Sequence, residues 1–147
     1  FVYFNNIRNN SQRCASHVVS YLQLAADLAT TATTPDFAFI TPDLCSDMHN
    51  CSISTGDTWL KVELPLIFNS PAWQTQNSVL FLLWDEDDFG STNQVPALVI
   101  GPAVKPGFRS STTYGHYNLL HTIEAAWHLP TLTANDAKAA IMSGFWR

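Results

Sequence analysis

The sequence has 147 residues, 46% of them apolar, and a net charge of −5, which suits one ordinary domain with a hydrophobic core. Its seven basic residues are scattered, so nucleic acid is not an expected partner. No apolar run approaches the roughly 20 residues that a membrane-spanning helix needs. The opening residues, Phe-Val-Tyr-Phe, lack the basic start of a signal peptide, so we expect the chain to begin inside a longer or processed protein.

Apolar spacing predicts helices and strands in alternation along the chain. Helical spacing is typical of an amphipathic helix, and short continuous apolar runs are typical of buried strands. This order predicts a mixed α/β fold with a largely parallel sheet. The predicted segments are a helix at 16–28, a strand at 37–40, a helix from Asp57 with Pro65 inside it, strands at 78–84 and 95–100, and helices at 116–128 and 135–142.

Acidic and histidine side chains follow two of these predicted strands. Asp47 and His49 come soon after the strand at 37–40, and Asp85 and Glu86 end the strand at 78–84. Open α/β sheets carry their sites at the carboxyl ends of strands. Carboxylates on a strand end suit a divalent cation, whose identity the sequence leaves open. His49 and His116 are either further ligands or donors to the oxygens of an anionic substrate.

Cysteine and asparagine patterns favour an extracellular protein. Cys45 and Cys51 flank the acid-and-histidine segment, and we expect a disulfide to close this loop. Cys14 is then left over, with a partner outside the chain or none. Asn9 and Asn50 each begin an Asn-x-Ser glycosylation pattern.

The remaining titratable groups have simpler interpretations. Asp87 and Asp88 are typical of a solvated run, and Glu124 is either a helix-face acid or a brace for the site. The sequence contains no Gly-x-Ser-x-Gly elbow and no glycine-rich phosphate loop, so neither an α/β-hydrolase mechanism nor nucleotide binding of those types is predicted.

Five sequence blocks in a fixed order resemble the phosphoesterase family of acid phosphatases and non-specific phospholipases C, within the alkaline-phosphatase-like superfamily. The resemblance runs from about residue 3 to residue 130. The blocks are ITPDLCSDMHNC at 40–51, GDTWL at 56–60, LLWDE at 82–86, VIGP at 99–102 and YGHYNLLHTIE at 114–124.

The resemblance implies a three-layer α/β/α sandwich with a mainly parallel sheet. It also implies metal-assisted phosphoryl transfer through a Ser or Thr nucleophile. Asp85 and Glu86 match the family's paired metal-binding acids. Asp47 and His49 match its Asp-x-His block at the phosphate site, and His116 matches the histidine before the last helix; these three are the predicted catalytic residues, with the two histidines contacting substrate.

The sequence departs from the family pattern in two ways. Family members often read Asp-Gly-His-Asp where this chain has Asp47-Met48-His49-Asn50, so an acid at position 50 is lost. The Glu-Asn metal motif and the nucleophile of the family's N-terminal half are also missing from these residues. We therefore expect residues 1–147 to be the C-terminal portion of one catalytic domain. It would pack against a separate N-terminal chain or associate with copies of itself.

Three functions are consistent with this sequence. The first is acid-phosphatase-like hydrolysis of phosphate esters as part of a larger secreted enzyme. The second is a phospholipase C acting on phospholipid headgroup diesters, for which Phe108 and Tyr114 are the evident apolar rim. The third is a non-catalytic structural or self-assembling protein derived from the enzyme half.

Overall fold

The computed structural model describes residues 2–90 and 92–147, which divide into two compact units. The first unit extends to Gln76, and the second runs from Asn77 to Arg147. No helix in the described part of the chain is both long and apolar enough to cross a membrane.

The first unit consists of helices and irregular segments in its described residues. Its longest helix packs against the short segments on either side of it. The helices are α1 (Asn5–Arg8), α2 (Ser11–His17), α3 (Leu24–Asp27), α4 (Ile53–Phe68) and α5 (Pro71–Thr75), with a 3-10 turn at Tyr21–Gln23.

The single helix predicted over residues 16–28 is wrong, because local capping divides this region. The Asn10 side chain accepts the Arg13 N–H at 2.9 Å and starts α2 earlier than predicted. Helix α2 ends at His17, and the next residue, Val18, has the extended dihedrals that β-branched residues favour. The Ser20 side chain then accepts the Leu22 N–H at 3.3 Å and starts a new turn.

Helix α4 begins one turn before the predicted start at Asp57. The Ser52 hydroxyl caps it by accepting the Thr55 N–H at 3.3 Å. The helix continues through Pro65 to Phe68. Helix α4 therefore follows the preceding loop after a single capping residue.

An aromatic contact and a short hydrogen bond hold the 3-10 turn against α4. The rings of Tyr21 and Trp59 have centroids 5.6 Å apart. The Tyr21 hydroxyl donates to the Glu63 carboxylate at 2.6 Å. Burial and this bond to Glu63 raise the pKa of Tyr21. The tyrosine therefore stays a neutral donor.

The strand predicted at residues 37–40 is not formed; the segment is irregular. A strand is stabilised by a neighbour that satisfies its backbone N–H and C=O groups. In the described part of the chain, the sheet consists of two strands, Leu80–Leu83 and Ala97–Ile100, and residues 37–40 are not part of it. Phe37 is 44% and Phe39 71% exposed, so the two rings of this run do not lie in a core either.

The second unit combines a two-stranded sheet with helices. Strands β1 (Leu80–Leu83) and β2 (Ala97–Ile100) pair antiparallel, with Leu80 opposite Ile100 and Leu83 opposite Ala97. Gly101 follows β2 where a Cβ would lie 2.5 Å from the Ser78 carbonyl oxygen, so only glycine fits this close approach. Two helices, α6 (His116–Ala126) and α7 (Ala134–Lys138), and a 3-10 turn at Ser143–Phe145 complete the unit.

The C-terminal segment packs on both the sheet and α6. The Met142 N–H donates to the Thr122 hydroxyl of α6 at 2.9 Å. The Trp146 ring lies edge-on to Phe81 of β1, with centroids 6.3 Å apart. Val104 and Met142 are buried here, as Leu24 and Ala72 are in the first unit.

The prediction of a mixed α/β chain is confirmed, since the chain contains helices and a small sheet. The prediction of parallel pairing is wrong for β1 and β2, which are antiparallel. The connection between them contains no helix among its described residues, and a parallel crossover requires a dozen or more residues, usually including a helix.

Candidate functional site

Asp43 organises the disulfide loop, which we define as residues 43–51 in the first unit. Its carboxylate accepts the backbone N–H groups of Cys45 at 2.9 Å and Ser46 at 3.2 Å, and the Ser46 hydroxyl at 2.7 Å. The Ser46 hydroxyl and these N–H groups lower the pKa of Asp43. Asp43 therefore stays ionised and fixes the first turn of the loop. The sequence signal for this role is an aspartate whose side chain can accept the backbone N–H two residues further along the chain.

Backbone hydrogen bonds and a disulfide close the rest of the loop. The Asp47 N–H donates to the Asp43 carbonyl at 2.9 Å, and the Asn50 N–H donates to the Leu44 carbonyl at 2.7 Å. Cys45 and Cys51 form the predicted disulfide. Cys14 is a free thiol, half-buried in α2.

Asp47 and His49 lie next to each other in this loop. Asp47 Oδ1 accepts the backbone N–H of His49 at 2.8 Å. Met48, between them, has a φ of 75°, which is the left-handed region that non-glycine residues rarely adopt. This conformation turns the chain sharply between the two. The His49 side chain is exposed, and Asp47 is half-buried.

In the second unit, Asp85 and Glu86 follow β1, and both side chains are exposed. His116 is the first residue of α6, and its Nε2 donates to the Asp85 backbone carbonyl at 3.0 Å. The structure therefore brings Asp85 and His116 together. Asn118 starts α6 by accepting the Gly115 N–H at 2.8 Å on its side chain, and this cap places His116 at the helix start.

The donor chemistry at Asp85 and Glu86 fits a divalent cation, because carboxylate oxygens are the ligands that hard cations prefer. Across residues 2–90 and 92–147, however, no three His, Cys, Asp or Glu side chains cluster in a way that could hold a metal ion. These two acids could therefore supply part of a coordination shell.

Asp87 and Asp88 have local backbone roles. Asp87 Oδ1 accepts the Phe89 N–H and Asp88 Oδ1 accepts the Gly90 N–H, both at 3.1 Å. Such bonds are typical of aspartates in turns. This agrees with their interpretation as residues outside the site.

Glu124 is not a helix-face acid in solvent, since its side chain is 3% exposed on α6. Burial raises its pKa, and the neighbouring Asp136 carboxylate raises it further. Asp136 is fully buried and caps α7 with the Thr133 hydroxyl. Burial opposes ionisation of Asp136, but the bonds from Thr133 and from the Leu132 N–H keep its pKa below the ordinary value. Glu124 of α6 and Asp136 of α7 are thus two buried, neighbouring carboxyl groups.

The two predicted glycosylation sites are both exposed. Asn9 directly follows α1, and Asn50 lies in the disulfide loop beside Cys51.

Of the predicted catalytic and metal residues, Asp47 and His49 belong to the first unit, and Asp85, Glu86 and His116 belong to the second.

The sequence model of the Phosphoesterase family matches residues 2–130, which is most of the chain. The chain belongs to the Phosphoesterase family. The resemblance seen in the five sequence blocks is therefore confirmed. The family match spans the disulfide loop, β1 with its two acids, and the whole of α6.

Family relatives are named as phosphatases. A phosphatidylinositol-3-phosphatase of Mycobacterium tuberculosis is 42% identical over 113 residues, covering 76% of this chain and 36% of that protein. A probable acid phosphatase of Kluyveromyces lactis is 30% identical over 146 residues, covering 96% of this chain and 34% of that protein. An acid phosphatase of Aspergillus fumigatus is 29% identical over 146 residues, covering 96% and 32%.

The chain thus spans about a third of the length of the curated relatives that it matches. No solved structure matches it.

Proposed function

We propose that this chain is the C-terminal portion of a catalytic domain that hydrolyses phosphate esters with the aid of a divalent metal ion. Family membership supports the reaction class, and the relatives' names support a phosphate ester as substrate. The observation that carries the proposal is the closed loop that presents Asp47 and His49 side by side within the matched region.

In this proposal the histidines bind the phosphoryl group. The non-bridging oxygens of a phosphate ester carry negative charge, and a ring N–H of His49 donates to such an oxygen. The Nε2–H of His116 donates to the Asp85 carbonyl, so His116 contacts substrate through Nδ1, which donates when both ring nitrogens carry a proton. Asp47 acts on His49 by holding its backbone N–H. Both rings are exposed and accessible to substrate.

Asp85 and Glu86 would hold the metal ion together with ligands from outside this chain. When bound, such a metal neutralises charge on the phosphoryl oxygens and activates the nucleophile. The bond from His116 to the Asp85 carbonyl fixes the backbone from which both carboxylates extend. The Ser or Thr nucleophile would come from an N-terminal portion of the same domain.

Exposed apolar side chains support a partner for this chain. Ile53 of α4 is 77% exposed and Leu98 of β2 is 54% exposed. Apolar surface of this kind is typical of a face that another element covers. The proposed occupant is the N-terminal portion, as a separate chain or as part of a longer one, with self-association as the alternative. The three-layer sandwich with a mainly parallel sheet is the proposed architecture of the complete domain.

We place the protein outside the cell. A disulfide persists in oxidising compartments, and the Cys45–Cys51 bond supports that location. Asn9 and Asn50 are the proposed glycan acceptors, because both are exposed.

Hydrolysis of p-nitrophenyl phosphate by the protein at its natural length tests the proposal. We expect activity that a chelator abolishes and a divalent metal restores. Replacing Asp85 and Glu86 together by alanine should remove the metal response, while Asp87→Ala, next to them in the chain, should keep it. No hydrolysis under any metal condition would instead favour the non-catalytic structural protein.

A lipid substrate is the second candidate. One relative is named a phosphatidylinositol-3-phosphatase, which favours a lipid phosphate monoester. The two aromatic residues expected to form the rim of a phospholipase C pack against another ring of the same chain. The ring centroids of Phe108 and Tyr114 lie 5.1 and 6.1 Å from that of Phe145. Phe108 remains 39% exposed. Comparing p-nitrophenyl phosphate with p-nitrophenylphosphorylcholine separates a monoesterase from a phospholipase C.

A further inference from the structure

Gly56 is a glycine in the interior of α4, and it is buried. Glycine is unfavourable inside a helix because its backbone loses more freedom than that of other residues. The sequence places this glycine before a helix that starts at Asp57, but the helix starts at Ile53 instead. Its presence within the helix therefore needs another reason.

The reason is the close approach of the disulfide loop to α4. A Cβ built on Gly56 would lie 2.9 Å from the Ser46 carbonyl oxygen and 2.5 Å from Met48 Cγ, with Met48 Cε in contact as well. Real Cβ atoms do not approach other heavy atoms this closely. The Met48 side chain thus occupies the space that any larger residue at position 56 would need.

Met48 has an unusual backbone conformation at the same place. Its φ of 75° favours glycine, yet this chain has a methionine. The Met48 side chain is half-buried and lies against Gly56. The residues on either side of Met48 are Asp47 and His49, so its position sets theirs.

We propose that Gly56 and Met48 are positioning residues, which act through the loop backbone to hold Asp47 and His49 in place for substrate. Neither side chain touches the phosphate ester in this assignment. The expected effect on catalysis rests on the proposed function. The contact between Met48 and Gly56, which we call the seat, does not, because it is a packing contact within the fold.

The test is Gly56→Ala in the protein at its natural length. The added methyl group meets the Ser46 carbonyl oxygen as well as the Met48 side chain, so the backbone of the disulfide loop, which carries Asp47 and His49, must shift. We expect kcat/KM for p-nitrophenyl phosphate to fall on the order of 100-fold, as for a misplaced catalytic group. The amide NMR signals of Asp47 and His49 should shift. Ser54→Ala is the matched control: Ser54 lies in the same helix turn, is exposed, and should change neither readout.

A second substitution should partly rescue the first. Adding Met48→Ala to Gly56→Ala clears the Met48 contacts and leaves only the approach to the Ser46 carbonyl. We expect the double variant to recover part of kcat/KM. Both losses should add if the two residues act independently, so additive losses would overturn the proposed seat.

The outcomes separate the seat from the proposed function. If the wild-type protein does not hydrolyse the ester, the function fails, and the NMR comparison still decides the seat. If Gly56→Ala resembles Ser54→Ala in both kinetics and NMR, the seat is overturned. If Gly56→Ala does not fold, the Met48→Ala variant tests the contact between Met48 and Gly56 instead. We expect it to shift the amide signals of Gly56 and His49, and unchanged signals would overturn the proposal.

Discussion

The disulfide loop is closed by contacts among its own residues, whereas Asp85 is held by a histidine 31 residues further along the chain. In the loop, Asp43, a disulfide and short-range backbone bonds fix the positions of Asp47 and His49. At the end of β1, the fixed point is the bond from His116, which depends on how α6 packs. We therefore expect the disulfide loop to be disrupted by loss of its disulfide or of its own hydrogen bonds. We expect the position of Asp85 to be disrupted by changes in α6, which carries His116.

The largest expected effect is on catalysis at the non-local site. His116→Ala should lower kcat/KM for p-nitrophenyl phosphate on the order of 100-fold, because it removes both the proposed substrate contact and the bond to Asp85. Since His116 is exposed, we expect the melting temperature to change little. His17→Ala, an exposed histidine in α2, is the control. Equal activity of the two variants would remove His116 from the site.

For the disulfide loop, we expect the next largest effect to be on the free energy of unfolding. Replacing Cys45 and Cys51 by serine opens a loop with a sequence separation of 6 and should cost about 2 kcal/mol in the free energy of unfolding. Denaturant unfolding measures this loss. Cys14→Ser, which removes the free thiol, should leave the midpoint unchanged. A double variant as stable as the wild type would show that the backbone bonds suffice.

A smaller effect concerns pH in the second unit. The raised pKa of Glu124 means that its contribution to stability falls as pH rises from the ordinary glutamate value, about 4.3, through the folded value. Asp136 faces it with a lowered pKa, and the charge of His121 acts in the opposite direction to that of Asp136. Glu124→Gln should flatten this decline in melting temperature with pH. The exposed Asp57→Asn variant should keep it.

The smallest expected effect is the pH dependence of stability contributed by the disulfide loop, and it has the opposite sign to that of Glu124. Because the pKa of Asp43 is lowered, its contribution is present above the ordinary aspartate value, about 3.9, and is lost as pH falls through the folded value. Asp43→Asn should therefore lower the melting temperature at neutral pH and converge with the wild type in acid. Parallel curves across the whole range would contradict this role.

Local signals in the sequence predicted local structure well. The cysteine spacing indicated the disulfide, the apolar run from Leu80 indicated β1, and His116 was placed correctly at the start of α6. These features depend on neighbours within a few residues, so the sequence contains most of the information that forms them.

Features that depend on distant partners were missed. The apolar run at 37–40 predicts a strand, but strand pairing depends on distant residues, and the described sheet does not include this run. The antiparallel pairing of β1 with β2 and the burial of Glu124 beside Asp136 likewise depend on tertiary packing. The sequence pattern places Gly56 before a helix, because a linear pattern does not show its contact with Met48.

The covalent closure of the loop also affects how damage to it would be detected. A protease that cuts between Cys45 and Cys51, for example at the exposed residues His49 and Asn50, leaves two fragments that the sulfur–sulfur bond still joins. Such a clipped molecule migrates as one species without a reductant and separates into two when the bond is reduced. Gels run with and without a thiol would therefore distinguish intact preparations from nicked ones that keep their full mass.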